Sequence, residues 1–126
     1  MSPQVYLVDD DEAIRGLAQQ ALMKFGYKVV TASTGEEALD LYSEKVDQID
    51  LVVMDLGMPG MGGHEACRRI KAIRKTRVAM LSSLKSQGDH KEGHIAGCDN
   101  YLTKPPQDGD LQAVLRIMYL RKSISA

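Results

Sequence analysis

Asp9 and Asp10 close one short apolar run of this 126-residue chain, and Asp55 closes another. Ser82 ends a later run, and Lys104 follows the last. Carboxylates brought to one place repel each other unless a cation lies among them. Hard oxygen donors of this kind suit Mg²⁺, which keeps several waters and takes one or two protein carboxylates beside phosphate oxygens. Each part of such a set has a job if a phosphoryl group is transferred to a carboxylate. Charge growing on the equatorial oxygens must be neutralised, which a divalent ion and Lys104 would do while Ser82 donates a hydrogen bond. Asp55 is favoured as the nucleophile because it stands alone beside the glycine-rich stretch 57–63, whereas Asp9 and Asp10 form a pair suited to holding metal. Spacing alone leaves that choice open.

These residues meet only if the runs carrying them lie parallel in one sheet. Apolar runs at 5–8, 29–31, 51–54, 78–81 and 101–102 predict five strands. Between them, apolar residues recur at three- and four-residue steps, as buried helix faces require. The first face is Ile14, Leu17, Ala18, Ala21, Leu22 and Phe25, and the second is Ala38, Leu39, Tyr42 and Val46. Ala66, Cys67, Ile70 and Ile73 form another, and Leu111, Val114, Leu115 and Met118 the last. A further helix falls within 87–96, where Gly88, Gly93 and charges dilute the period. Alternating strands and helices predict an α/β fold, a doubly wound (βα)5 three-layer sandwich with a five-stranded parallel sheet. Ligands of such sheets sit at the carboxyl ends of the strands, near the reversal of strand order.

The chain has the length of one domain. Lys and Arg (16) nearly balance Asp and Glu (17), and 44% of residues are apolar, which argues against a disordered chain and a polyanion binder. No apolar run approaches the roughly 20 residues that span a bilayer, and the first residues lack a signal-peptide pattern. A cytoplasmic location without membrane contact is expected. Cys67 and Cys98 have no CxxC spacing and are expected as core-filling thiols.

The run Val8-Asp9-Asp10-Asp11, the segment from Asp55 to Gly63, Leu81-Ser82-Ser83 and Tyr101-Leu102-Thr103-Lys104-Pro105 together resemble the signature blocks of bacterial response-regulator receiver domains. The blocks stand in family order and span nearly the whole chain. The resemblance implies a flavodoxin-like sheet of order 2-1-3-4-5, with a receiver domain over 3–122 and a tail or linker stub at 123–126. It implies Asp55 as phosphoacceptor, Asp10 as direct Mg²⁺ carboxylate, Asp9 as a partner acting through water on the ion, and the Gly57 carbonyl as a further ligand. Lys104 would contact phosphoryl oxygens, and Ser82 and Tyr101 would be the switch residues that move toward and behind the new group. The implied partner is a sensor histidine kinase or a histidine phosphotransfer protein, with no direct nucleic-acid contact and a monomeric or weakly dimeric chain. Such a protein is a signalling phosphoacceptor that assists its own phosphotransfer and acyl-phosphate hydrolysis, not an enzyme acting on a separate substrate. This chain departs from the commonest family pattern at Gly57, Leu84 and Pro106.

Plainer roles compete at several positions. Asp11 or Glu12 is expected to cap the first helix. The stretch 57–63 lacks the GK[ST] ending of a P-loop and serves as a turn. His90 and His94, four apart, read as a solvated helix face. Arg68, Arg69, Lys71, Arg74, Lys75 and Arg77 read as the outer face and exit of the third helix. Two rival functions remain: a small Mg²⁺-dependent phosphohydrolase with Asp9 as nucleophile, since Asp9-x-Asp11 resembles the haloacid-dehalogenase-type motif, and a degenerate receiver acting only as an interaction module.

Overall fold

The computed structural model describes residues 3–58, 60–82, 97–104 and 106–125. Its strands are β1 (Gln4–Val8), β2 (Lys28–Ala32), β3 (Leu51–Asp55), β4 (Arg77–Ser82) and β5 (Asn100–Thr103). The helices among the described residues are α1 (Glu12–Lys24), α2 (Gly35–Lys45), α3 (Gly63–Ile73) and α4 (Asp108–Ser125), with a 3-10 turn at Val46–Gln48. All strands pair in parallel, in the order β2-β1-β3-β4-β5. That is the expected doubly wound sandwich. The helix expected within 87–96, together with Ser83, Leu84, His90 and His94, lies outside the described residues.

Near-continuous apolar runs arise because both faces of the sheet are covered. Side chains alternate across a strand, so each run feeds two cores. Val5, Leu7, Leu51, Val53, Ala79 and Leu81 pack with Ala18, Leu22, Leu111 and Leu115 of α1 and α4. Tyr6, Val8, Val52, Met54, Val78 and Met80 pack on the other side with Ala38, Tyr42, Cys67 and Ile70 of α2 and α3. Two residues expected on buried faces lie outside them, since Leu17 is 62% exposed and Ile73 is 48% exposed. α1 turns its small residues Ala18 and Ala21 to the sheet, a close approach that rotates Leu17 outward. The Val46 side chain is not among those described.

Helix starts obey local chemistry. Asp11 caps α1, its Oδ1 accepting from the N–H of Ala13 at 3.0 Å and of Ile14 at 3.1 Å. Thr34 does the same for α2, its Oγ1 accepting from the N–H of Glu37 at 3.0 Å. At the other end of the chain, α4 continues through Ser125, so helical backbone runs into the segment expected as a tail. After Gly109 nothing in its sequence, neither glycine nor proline, stops the helix.

Candidate functional site

Register brings the chemistry to one rim. Val8 pairs with Met54, Asp55 with Leu81, and Ser82 with Thr103. Asp9 follows Val8 and Lys104 follows Thr103, so these residues and Asp55 and Ser82 gather at the carboxyl ends of β1, β3, β4 and β5. They border the point where the chain leaves β1 toward β2 on one side and returns to β3 on the other. A cleft of about 260 Å³ opens there, lined by Asp10, Asp55, Leu56, Gly57, Ser82 and Lys104 together with Asp11. A second hollow of about 310 Å³ lies between α1 and the start of α4, lined by Leu17, Ala18, Ala21, Pro106 and Leu111 among others. It holds none of the converging carboxylates.

The Lys104 ammonium bridges two carboxylates, with Nζ 3.1 Å from Asp9 Oδ1 and 3.2 Å from Asp55 Oδ2. Burial alone pulls its pKa down, but the hydrogen bonds and charges of both carboxylates outweigh that and leave it raised. Asp9 Oδ1 also accepts from the Asp11 N–H at 2.9 Å, and Asp55 Oδ1 from the Gly57 N–H at 3.2 Å. Arg15 of α1 donates to the Asp9 carbonyl at 2.8 Å, holding the β1 exit against the helix.

One ammonium does not balance three carboxylates. Oxygens of Asp9, Asp10 and Asp55 lie within 4.8 Å of one another. A hydrogen bond with Asp55 is the largest cause of a raised Asp10 pKa, with desolvation and repulsion from Asp55 adding to it. Asp9 is fully buried, yet its Oδ2 has no hydrogen-bond partner. A buried carboxylate oxygen without a partner is costly. The donor set therefore fits a hard divalent cation.

The glycine-rich stretch is more than a loose turn. A Cβ on Gly63 would collide with the Asp55 carbonyl oxygen and with Leu56 Cα, so glycine lets α3 begin directly against the end of β3. Gly60 has a left-handed φ of 71°. Glu36 of α2 accepts from the Met61 N–H at 2.9 Å and clamps the stretch from outside.

Ser82 is buried at the end of β4, and Tyr101 is half-buried on β5. The Tyr101 hydroxyl lies 3.0 Å from His64 Nε2 at the start of α3. His64 escapes a motif reading because it stands alone in sequence, and only the packing of α3 beside β5 gives it a partner. Asp99 escapes for the same reason. It binds Lys71 at 2.7 Å, Arg77 at 3.0 Å and the Val78 N–H at 2.8 Å. Those two cations are thus tied inward, unlike the exposed Arg68 and Arg69, which pair with Glu65 on the outer face of α3. Neither Cys67 nor Cys98 forms a disulfide among the described residues; the first is buried and the second half-buried.

Comparison with known proteins gives a consistent picture. Residues 5–116 match the model of the response regulator receiver domain. The chain is 37% identical over 113 residues to the uncharacterized transcriptional regulatory protein YrkP of Bacillus subtilis, covering 90% of this chain and 48% of that protein. It is 36% identical over 118 residues to the transcriptional regulatory protein AfsQ1 of Streptomyces coelicolor, covering 90% of this chain and 52% of that one. The chain therefore spans about half the length of these curated relatives. Among solved structures, the chemotaxis protein CheY4 of Vibrio cholerae superposes with a TM-score of 0.88 at 29% identity, over 94% of this chain and 99% of that one.

Proposed function

The chain belongs to the receiver domains of two-component response regulators, and from that premise we propose that Asp55 takes up a phosphoryl group from a phosphohistidine donor. The observation that carries the assignment is the contrast between two buried carboxylates. Asp55 lines the cleft and faces Lys104, whereas Asp9 is fully buried and does not line the cleft. An incoming phosphorus can reach Asp55 from the cleft. This argues against the phosphohydrolase reading, in which Asp9 attacks.

In the transfer, an oxygen of Asp55 forms the new bond to phosphorus while the phosphorus–nitrogen bond of the donor histidine breaks. The electron pair returns to the imidazole, which takes a proton. Lys104 holds Asp55 in place beforehand and can turn its ammonium to the phosphoryl oxygens. Ser82, at the same rim, donates a hydrogen bond to them. Asp9, Asp10, Asp55 and the Gly57 carbonyl would hold Mg²⁺, which supplies charge neutralisation and alignment of the phosphoryl oxygens. Gly57 places no side chain over the cleft, so that position neither orients nor blocks the water that hydrolyses the acyl phosphate and regenerates Asp55.

A sensor histidine kinase or histidine phosphotransfer protein is the donor, and the chain is a phosphoacceptor that assists its own chemistry. Tyr101 and Ser82 report the modification by a population shift. Because relatives about twice as long are named transcriptional regulatory proteins, we assign the output to an effector outside residues 3–122, with 123–126 as the junction. We place the protein in the cytoplasm, and no helix among the described residues is long and apolar enough to cross a membrane.

Incubation with Mg²⁺ and acetyl phosphate, followed by mapping of the acid-labile phosphate, tests the assignment. The label is expected on Asp55 and is abolished in Asp55→Asn. A label on Asp9, or none with any donor, overturns it.

A further inference from the structure

Tyr101 is tied at its hydroxyl. His64 Nε2, at the second residue of α3, lies 3.0 Å from it. The Cys98 side chain also hydrogen-bonds Tyr101, and its thiol donates to the Asn100 carbonyl at 3.7 Å. His64 follows Gly63, whose backbone lies against Asp55 and Leu56, so the imidazole is mounted on the support of the acceptor strand itself. One hydrogen bond thus joins the helix that begins under Asp55 to the strand that leads into Lys104.

We propose that His64 is a positioning residue that latches Tyr101 to α3 while Asp55 is unmodified, and so sets how readily Tyr101 turns when the phosphoryl group arrives. The proposal rests on Asp55 as acceptor and on Tyr101 as a moving residue. A bond made in one of two states shifts their equilibrium by its full net strength. For a neutral hydrogen bond that corresponds to roughly a 2- to 10-fold change. The latch opposes the response, so its removal strengthens it.

The test uses beryllofluoride with Mg²⁺ as a mimic of the acyl phosphate. Affinity is read by calorimetry, and the Tyr101 ring by fluorine NMR of fluorotyrosine-labelled protein. Compared with wild type, His64→Leu is expected to bind beryllofluoride roughly 2- to 10-fold more tightly and to move the Tyr101 signal before any ligand is added. His64→Gln keeps an N–H within reach of the hydroxyl and returns both readouts toward wild type. Tyr101→Phe removes this bond from the other side together with the Cys98 contact, and the double variant with His64→Leu gains nothing over Tyr101→Phe alone. If His64→Leu does not fold, His64→Phe, which keeps a ring at that position but has no nitrogen to bond the hydroxyl, measures the bond instead. Unchanged affinity in His64→Leu, or additive effects, overturns the latch while the acceptor reading stands. A wild-type chain that does not bind beryllofluoride through Asp55 overturns the acceptor reading and the latch with it.

Discussion

At the scale of single residues, the site is a contest for two carboxylates. Lys104 holds Asp9 and Asp55 at 3.1 and 3.2 Å, and a divalent cation would be drawn to the same oxygens. Lysine and metal repel each other, so the ammonium that neutralises the site also weakens metal binding there. Lys104→Met is therefore expected to bind Mg²⁺ several-fold more tightly by calorimetry, yet to accept phosphoryl groups from acetyl phosphate much more slowly. Asp9→Asn has the opposite effect on the metal. It removes a buried charge whose Oδ2 lacks a hydrogen-bond partner, and Mg²⁺ affinity should fall by about 10- to 100-fold, the loss typical of a residue that supports a metal's ligands.

At the scale of elements, precision at Asp55 comes from what starts immediately after its strand. The glycine at position 63 lets α3 approach the Asp55 backbone, and Glu36 fastens the intervening turn to α2. Gly35 contributes similarly, since a Cβ there would lie 2.7 Å from the Met61 carbonyl oxygen. Gly63→Ala should destabilise the domain by about 1–3 kcal/mol in urea unfolding, because neither backbone neighbour is able to rotate away as a side chain would. The same displacement moves the Asp55 carboxylate, so phosphoryl acceptance should fall by more than stability alone accounts for. Wild-type acceptance in a folded Gly63→Ala chain would argue against this support role.

At the scale of the whole molecule, two apolar cores sandwich the sheet, and the network around Asp99 ties α3, β4 and the approach to β5 together. The buried thiol of Cys67 reports on that packing. Burial, with Cys98 nearby, pushes its pKa from 9.0 up to about 12, so the folded chain keeps a proton that the unfolded chain gives up. Stability linked to this group is therefore complete below pH 9.0 and is lost as pH rises toward about 12. Burial also raises the pKa of the Tyr6 phenol and acts in the same direction. Urea unfolding at a series of pH values should show declining stability above pH 9.0, with a shallower decline in Cys67→Ala. An unchanged slope in that variant would remove Cys67 as a cause.

Sequence by itself determined the strands, the sheet class, the rim where the carboxylates gather and the family. Apolar runs bounded by turns are local signals, and a parallel sheet has to bring Asp9, Asp10, Asp55, Ser82 and Lys104 to one edge, whatever the details of packing. Asp11 as a cap was legible too, because capping is settled within a few residues. Tertiary structure alone decided which apolar residues turn outward, as Leu17 and Ile73 do, since helix rotation depends on how closely small residues let it approach the sheet. It alone paired His64 with Tyr101 and drew Lys71 and Arg77 to Asp99. Each of those pairs is separated by more than 20 residues. A partner so distant leaves no periodicity in the chain, and it becomes visible only when the strands and helices have docked.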